Sequence, residues 1–349
     1  MSSAGSTRFG IFDILQVNPN RPTHESIHEH LDQLELADQL GFDYIFVAER
    51  HFMPHYRATS PGLLLAALAR NTTNARLGVL AYTLAAHHPA LLAEEVSMLD
   101  HLTRGRLEFG IGLGHRPSEI AGLGYPVEGR QGIFIENLVV MRQAWDAQVF
   151  DFTGNLRKLE NIWVPKPYQD PHPPIWFAGG DPRITAWAAR NGLRLAVGFK
   201  RDEDLIETVE SYRAEEPPAE APPRHIALMR HVYVAESDEQ AREEIINDLM
   251  GLGELMFSQP QGGSADEPKG LSREEATAQF ERQREQQVLV SGGPDTVAEA
   301  IAGSLGRLGA DTFLANVHLT GVEHERIRRT MNLFANEVRP RIERHVGDS

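Results

Sequence analysis

Strand-like and helix-like periods alternate along this chain from one end to the other, and that alternation limits the fold more than any single motif. Strands separated by helices pair in parallel, because a crossover helix returns the chain to the same end of the sheet. Short apolar runs predict eight strands, at residues 8–14, 43–47, 76–82, 106–112, 174–178, 193–197, 225–235 and 311–318. Between them apolar residues recur at steps of three and four. Ile27, Leu31, Leu34 and Leu40 follow Thr23, read as an N-cap, and Gly41 stops that helix. Residues 66–69 are expected to belong to a short helix. Others carry Leu92, Val96 and Leu99; Phe134, Leu138, Met141 and Trp145; Val297, Ile301, Leu305 and Leu308; and Ile327, Met331, Phe334 and Val338.

Eight such units predict an α/β chain closed into a (β/α)8 TIM barrel, one domain over 1–349, with insertions after strands four and seven. The rival is an open doubly wound sheet, whose first turn normally carries a glycine fingerprint. The turn here, Ile14-Leu15-Gln16-Val17-Asn18-Pro19, has no glycine. Residues 149–164 read as a hairpin turning at Gly154-Asn155. The proline-rich segment 214–223 reads as a surface loop. Segment 251–275, rich in Gly, Gln, Ser and acids, follows strand seven and is expected to be a mobile lid over the C-terminal face.

Net charge is −15, and no Lys/Arg cluster offers the basic face that displaces counterions from nucleic acid. The absence of cysteine excludes disulfides, thiolate nucleophiles and cysteine-ligated metals. The start of the chain lacks the apolar stretch of a signal peptide, and no run approaches the ~20 apolar residues of a membrane helix. A cytoplasmic protein without membrane contact is expected.

In a barrel, chemistry gathers where strands end. Strand two ends in Ala48-Glu49-Arg50-His51-Phe52, where an acid, a guanidinium and an imidazole could move protons or form a satisfied buried ion pair. His87 and His88, with His51 and His55, raise the question of a metal. No His-x-His spacing makes them converge, and His88-Pro89 reads as a helix entry, so no metal is expected. Gly110, Gly112 and Gly114, at steps of two, let a flat ligand approach the backbone. Ala178-Gly179-Gly180 lead into Asp181-Pro182, a helix start whose N–H groups can face an anion. There is no P-loop and no G-x-S-x-G elbow. Tyr82, Phe52 and Met256 hint at a partly aromatic pocket.

Five runs occur in order along the chain. They are 43–52 (DYIFVAERHF), 76–89 (RLGVLAYTLAAHHP), 94–114 (EEVSMLDHLTRGRLEFGIGLG), 174–192 (PIWFAGGDPRITAWAARNG) and 290–300 (VSGGPDTVAEA). The ordered set resembles the bacterial luciferase-like, flavin-dependent oxidoreductases. The resemblance implies a barrel binding reduced flavin at its C-terminal face, FMN usually and a deazaflavin in one branch. It implies a non-proline cis peptide at Leu80–Ala81. It places Glu49 beside the flavin edge, Gly112 and Gly114 along the ring, and Ala178, Gly179 and Gly180 near the phosphate.

Three positions depart from the family pattern. Arg50, followed by His51, stands where the luciferases carry a base histidine. Gly112 stands for a reactive cysteine. Leu113 stands for a phosphate-binding arginine, for which Arg116 or Arg183 could substitute. These departures argue against light emission and a long-chain aldehyde. The expected function is a monooxygenase using reduced FMN, delivered by a flavin reductase, and oxygen on a small organic substrate. His51 is the expected proton-transfer residue and Glu49 a positioning carboxylate. The alternatives are a deazaflavin-dependent hydride-transfer enzyme, a metal-dependent hydrolase using His51, His55, His87 and His88, and a non-catalytic flavoprotein subunit. A homodimer through the second and third helices is expected.

Overall fold

The computed structural model describes residues 7–18, 21–114, 116–252 and 270–347. Four parallel strands pair in chain order: β1 (Arg8–Asp13), β2 (Tyr44–Val47), β3 (Arg76–Thr83) and β4 (Leu107–Gly112). An antiparallel hairpin, β5 (Val149–Thr153) and β6 (Lys158–Trp163), then interrupts the pattern at the predicted turn. The sheet resumes with β7 (Ile175–Ala178), β8 (Arg194–Gly198) and β9 (Ile226–Val234). After β10 (Leu289–Gly292), β11 (Thr312–Asn316) pairs with β9 on one edge and β1 on the other. Among the described residues, eight parallel strands thereby close into a barrel, as the alternation predicted. Predicted strand boundaries lie within two residues of the observed ones.

The helices are α1 (Thr23–Gln39), α2 (Pro61–Asn71), α3 (Pro89–Thr103), α4 (Pro117–Gly122), α5 (Arg130–Ala147), α6 (Pro182–Arg190), α7 (Asp202–Arg213), α8 (Asp238–Leu252), α9 (Arg273–Glu285), α10 (Pro294–Leu308), α11 (His324–Leu333) and α12 (Arg339–Gly347). The apolar positions named for α3, α5 and α10 are all buried. Among the described residues no helix is long and apolar enough to cross a membrane.

Three expectations need correction. Thr23 opens α1 from inside; the cap position is Pro22, which has no side-chain oxygen to offer. Residues 66–69 belong to a short helix as expected, α2, which Pro61 starts. Strand β10 was not foreseen. Its four residues pair with the overhanging end of β9, from His231 to Val234, beyond the part that β8 reaches. Of segment 251–275, residues 251–252 finish α8, and a capping box at Ser272 and Glu275 opens α9. Residues 253–269 lie outside the described residues, and so does Met256.

The core has two parts. A shell of aliphatic and aromatic side chains separates the sheet from the helices, and a smaller cluster fills the barrel lumen. In the lumen Trp176 meets Tyr44 and Phe46 edge-on at 6.0 and 5.8 Å. Gly110 is required here: a Cβ would lie 2.2 Å from the Val79 carbonyl oxygen. Toward the N-terminal end, the buried Glu108 accepts from Trp176 Nε1 at 2.6 Å and from Arg194 at 2.9 Å, and pairs with Arg76. Removing one partner of a buried charge cluster leaves the others uncompensated. Glu108→Ala is therefore expected to cost ~3–5 kcal/mol, read as a lower urea midpoint. An unchanged midpoint would show that the cluster does not brace the barrel.

Candidate active site

Because every barrel strand runs the same way, the strand ends converge on one face, and a cavity of about 1120 Å³ opens there. Its floor is apolar, from Phe12, Leu80 and Met229 at the top of the lumen. Its walls carry Ala81, Gly112 and Gly114 on one side and Ala178, Gly179 and Gly180 on the other. Arg130, Arg183 and Lys200 make a cationic rim. An apolar cavity of this size with a few convergent polar groups suits a large planar ligand with an anionic end.

The Leu80–Ala81 peptide is cis, where the family resemblance put it. The β3–β4 register shifts between Val79 and Tyr82, around that bond. A Cβ on Gly112 would lie 3.4 Å from the Ala178 carbonyl oxygen and 3.5 Å from the Ala81 Cβ. Ala81 and Gly112, expected at the ring, and Ala178, expected near the phosphate, thus come together from three adjacent strands. At Gly180 the nearest group is Lys200 Nζ, 3.7 Å from a built Cβ. Asp181 caps α6 through the Arg183 N–H, as its sequence predicted.

Glu49 is buried behind this wall. Its Oε2 accepts the Thr83 N–H at 2.6 Å, and its Oε1 lies 2.6 Å from His87 Nε2 and 3.4 Å from His51 Nε2. Burial alone would raise the Glu49 carboxyl. The bonds from His51, His87 and Thr83 outweigh it and hold the group at about 2. The same contact raises the His51 imidazole. Among the described residues the cavity surface carries Arg50 and Thr83, with Glu49 and His51 set back from it.

The four histidines considered for a metal do not gather. His51 and His87 share Glu49, His88 stands at the N-cap position of α3 without a side-chain capping bond, and both ring nitrogens of His55 are buried without a hydrogen-bond partner. Among the described residues they form no group with metal-ligand spacing. Of the two arginines offered for a phosphate, Arg183 stands on the cavity rim. Arg116 instead reaches the Met53 sulfur at 3.5 Å. Tyr82 lines the cavity, with its hydroxyl bonded to Glu95 at 2.9 Å, whereas Phe52 is exposed and packs against Gly122.

Sequence reasoning missed Phe199, Lys200 and His231. The Phe199 ring lies 4.8 Å from His231 and 6.1 Å from Phe12. Burial pushes the His231 imidazole down to about 4, against a bond to Asn316, so it faces the cavity neutral. Ala227, Met229 and His231 alternate on β9, so strand parity alone could have placed His231 inward.

The profile of the luciferase-like monooxygenase family matches residues 7–312. An uncharacterised protein of Sinorhizobium fredii is 35% identical over 239 residues, 67% of this chain and 69% of the relative. The oxygenase component of flavin-dependent trigonelline monooxygenase from Acinetobacter baylyi is 29% identical over 246 residues, 67% of each chain. The crystal structure of monooxygenase RslO1 from Streptomyces bottropensis superposes with a TM-score of 0.79 at 25% identity, covering 95% of this chain and 99% of that one. The chain belongs to the luciferase-like monooxygenase family. It is an enzyme, a flavin-dependent oxidoreductase of the monooxygenase type.

A depressed carboxyl stabilises the fold fully above its unfolded value and loses that contribution as pH falls through its folded value. For Glu49 the window runs from its ordinary value of 4.5 down to about 2. Glu49→Gln is expected to destabilise the protein by on the order of 3 kcal/mol near neutral pH, with the gap to wild type narrowing across that window in urea unfolding. It is also expected to return the His51 imidazole toward its ordinary titration by NMR. An unaltered His51 would assign its shift to another group.

Proposed function

We propose that this enzyme uses reduced FMN and oxygen to oxygenate a small organic substrate. The observation that carries the reading is the cavity at the strand ends, where a glycine-lined slot meets a cationic rim. Reduced flavin, when bound, supplies the activation of oxygen. Leu80, Ala81, Gly112 and Gly114 seat the ring, since glycine and a small side chain leave room for a flat ligand against the backbone. Ala178, Gly179 and Gly180 line the side expected to hold the phosphate, while Asp181 takes the N–H groups at the start of α6 for itself. Lys200 supplies the positive charge missing at Leu113, since Arg183 is paired with Asp181.

Glu49 acts as a positioning residue. It fixes the Thr83 N–H in the cavity wall and orients His51 and His87. His51 holds a proton at Nε2 and is the proton-transfer residue of the flavin side. His231, kept neutral, faces the substrate side and can accept or return a proton there. The apolar floor excludes water beneath the ring. Similarity to a protein described as an oxygenase component supports a separate flavin reductase as the source of reduced FMN.

We also propose a homodimer through α2 and α3. Leu63, Leu91, Met98 and Leu102 are exposed, and the last three recur on one face of α3. Met98→Glu is expected to convert the dimer to a monomer in light scattering. A monomeric wild type would remove this part.

The deciding experiment is an anaerobic titration with reduced FMN, followed by an oxygen pulse with flavin oxidation and product recorded. Saturable binding and substrate-dependent oxygen uptake are the expected results. Preference for a deazaflavin, with no oxygen uptake, would replace the reading with hydride transfer. Lys200→Ala is expected to weaken FMN about 10-fold, the loss of ~1.4 kcal/mol of charge-assisted contact, and to leave riboflavin affinity unchanged. An equal loss for both would move the phosphate elsewhere.

A further inference from the structure

A second constellation lies outside the flavin cavity, at the seam where the barrel closes. Asp13 ends β1, His30 lies on α1, and His318 follows β11 by two residues. They are 0%, 7% and 1% exposed. Asp13 Oδ2 lies 2.7 Å from His30 Nδ1, and Asp13 Oδ1 lies 3.6 Å from His318 Nδ1. The two imidazoles stack at 4.8 Å. One ligand atom from each residue falls within 4.8 Å of the others.

The hydrogen bonds around His30 leave a vacancy for positive charge. His30 Nε2 lies 3.0 Å from the Gln16 carbonyl oxygen, so Nε2 carries a proton and donates. In the neutral ring, Nδ1 is then a bare acceptor facing a carboxylate. Two acceptors at that distance need a cation between them, either a second proton on His30 or a metal ion. His318 favours the metal. Neither of its ring nitrogens has a hydrogen-bond partner among the described residues. A proton on His30 leaves that buried imidazole with no protein partner, to be met only by water from the cavity beside it. A metal ion would use it.

The surroundings fit. His30 gives its other N–H to a backbone carbonyl, the usual outer partner of a metal-bound imidazole, and Asp13 Oδ1 accepts the Leu15 N–H at 2.7 Å. A cavity of about 540 Å³ opens beside His30 and His318, with Glu29, Gln33, Glu323 and His324 on its walls. It offers an entry path and room for water to complete the coordination. We propose that Asp13, His30 and His318 bind one divalent first-row transition ion, their two nitrogens and one carboxylate suiting Zn²⁺, Fe²⁺ or Co²⁺. Ligands ~2.1 Å from a tetrahedral ion stand roughly 3.4 Å apart. The 2.7 Å contact would open by less than an ångström, and the widest separation, up to 4.8 Å, would close by about 1.4 Å. The ion would tie β1, α1 and the segment after β11 together. Phe12 and Ile14, on either side of Asp13, line the flavin cavity, so the ion would brace that wall.

The test uses the full chain, stripped with a chelator and titrated with Zn²⁺ against a chromophoric competitor. One equivalent per chain is expected, together with a Zn²⁺-dependent rise in Tm. His318→Ala is expected to lose both, and His51→Ala to keep both. Co²⁺-loaded wild type is expected to show two hyperfine-shifted, exchangeable imidazole N–H signals, which tests the site even if His318→Ala does not fold. No stoichiometric binding by wild type would overturn the proposal. So would a single imidazole signal, or binding lost in His51→Ala and kept in His318→Ala, which would move the ion to the Glu49 cluster.

Discussion

The ladder between β1 and β11 is the constraint on which the rest depends. Arg8 to Ile11 pair with Thr312 to Ala315, so the first strand and the last close the sheet on itself. Closure in parallel sends every strand's carboxyl end to one face. Glu49, the Leu80–Ala81 peptide, Gly112, Ala178 and His231 come from five different strands or strand ends. No local interaction brings them together; the closed ladder does. The lumen beneath must be filled for the barrel to hold its shape. Trp176, Tyr44 and Phe46 fill it, and the buried Glu108 ties the strands with charge-assisted bonds.

Electrostatics divides the cavity into three regions. The floor is apolar, so a ring lying on it is shielded from water. The rim is cationic, through Arg130, Arg183 and Lys200, in a chain whose net charge is −15. Behind the wall sits a carboxylate that two histidines and a backbone N–H hold ionised despite burial. His51 and His231 are thereby driven in opposite directions, one by a carboxylate and the other by desolvation.

The same contrast recurs at the seam. Asp13 faces His30 and His318 as Glu49 faces His51 and His87. At Glu49 each lone pair finds a donor, and the group reads as a positioning carboxylate. At the seam one imidazole finds none. That difference in hydrogen-bond accounting separates a structural ion pair from a candidate metal centre.

Much of the fold was legible in the sequence, because period and punctuation are local. Apolar runs bounded by turns marked the eight barrel strands, and Gly41, Asp181 and the 149–164 hairpin marked where elements stop, start or reverse. Ordered motifs placed the Leu80–Ala81 cis peptide, and picked out glycines that line the cavity, for the same reason: each lies within one short run. Strand β10 was hidden because its pairing depends on how far β9 overhangs β8, a tertiary fact. Whether Glu49 and His51 reach the cavity surface or stand behind it depends on how β2 and β3 twist past each other, which no spacing in the chain encodes. Lys200 and His231 join the site only when distant strands meet. Asp13, His30 and His318, separated by most of the chain, become neighbours only when the barrel closes, because burial and proximity belong to the folded surface and not to any one segment.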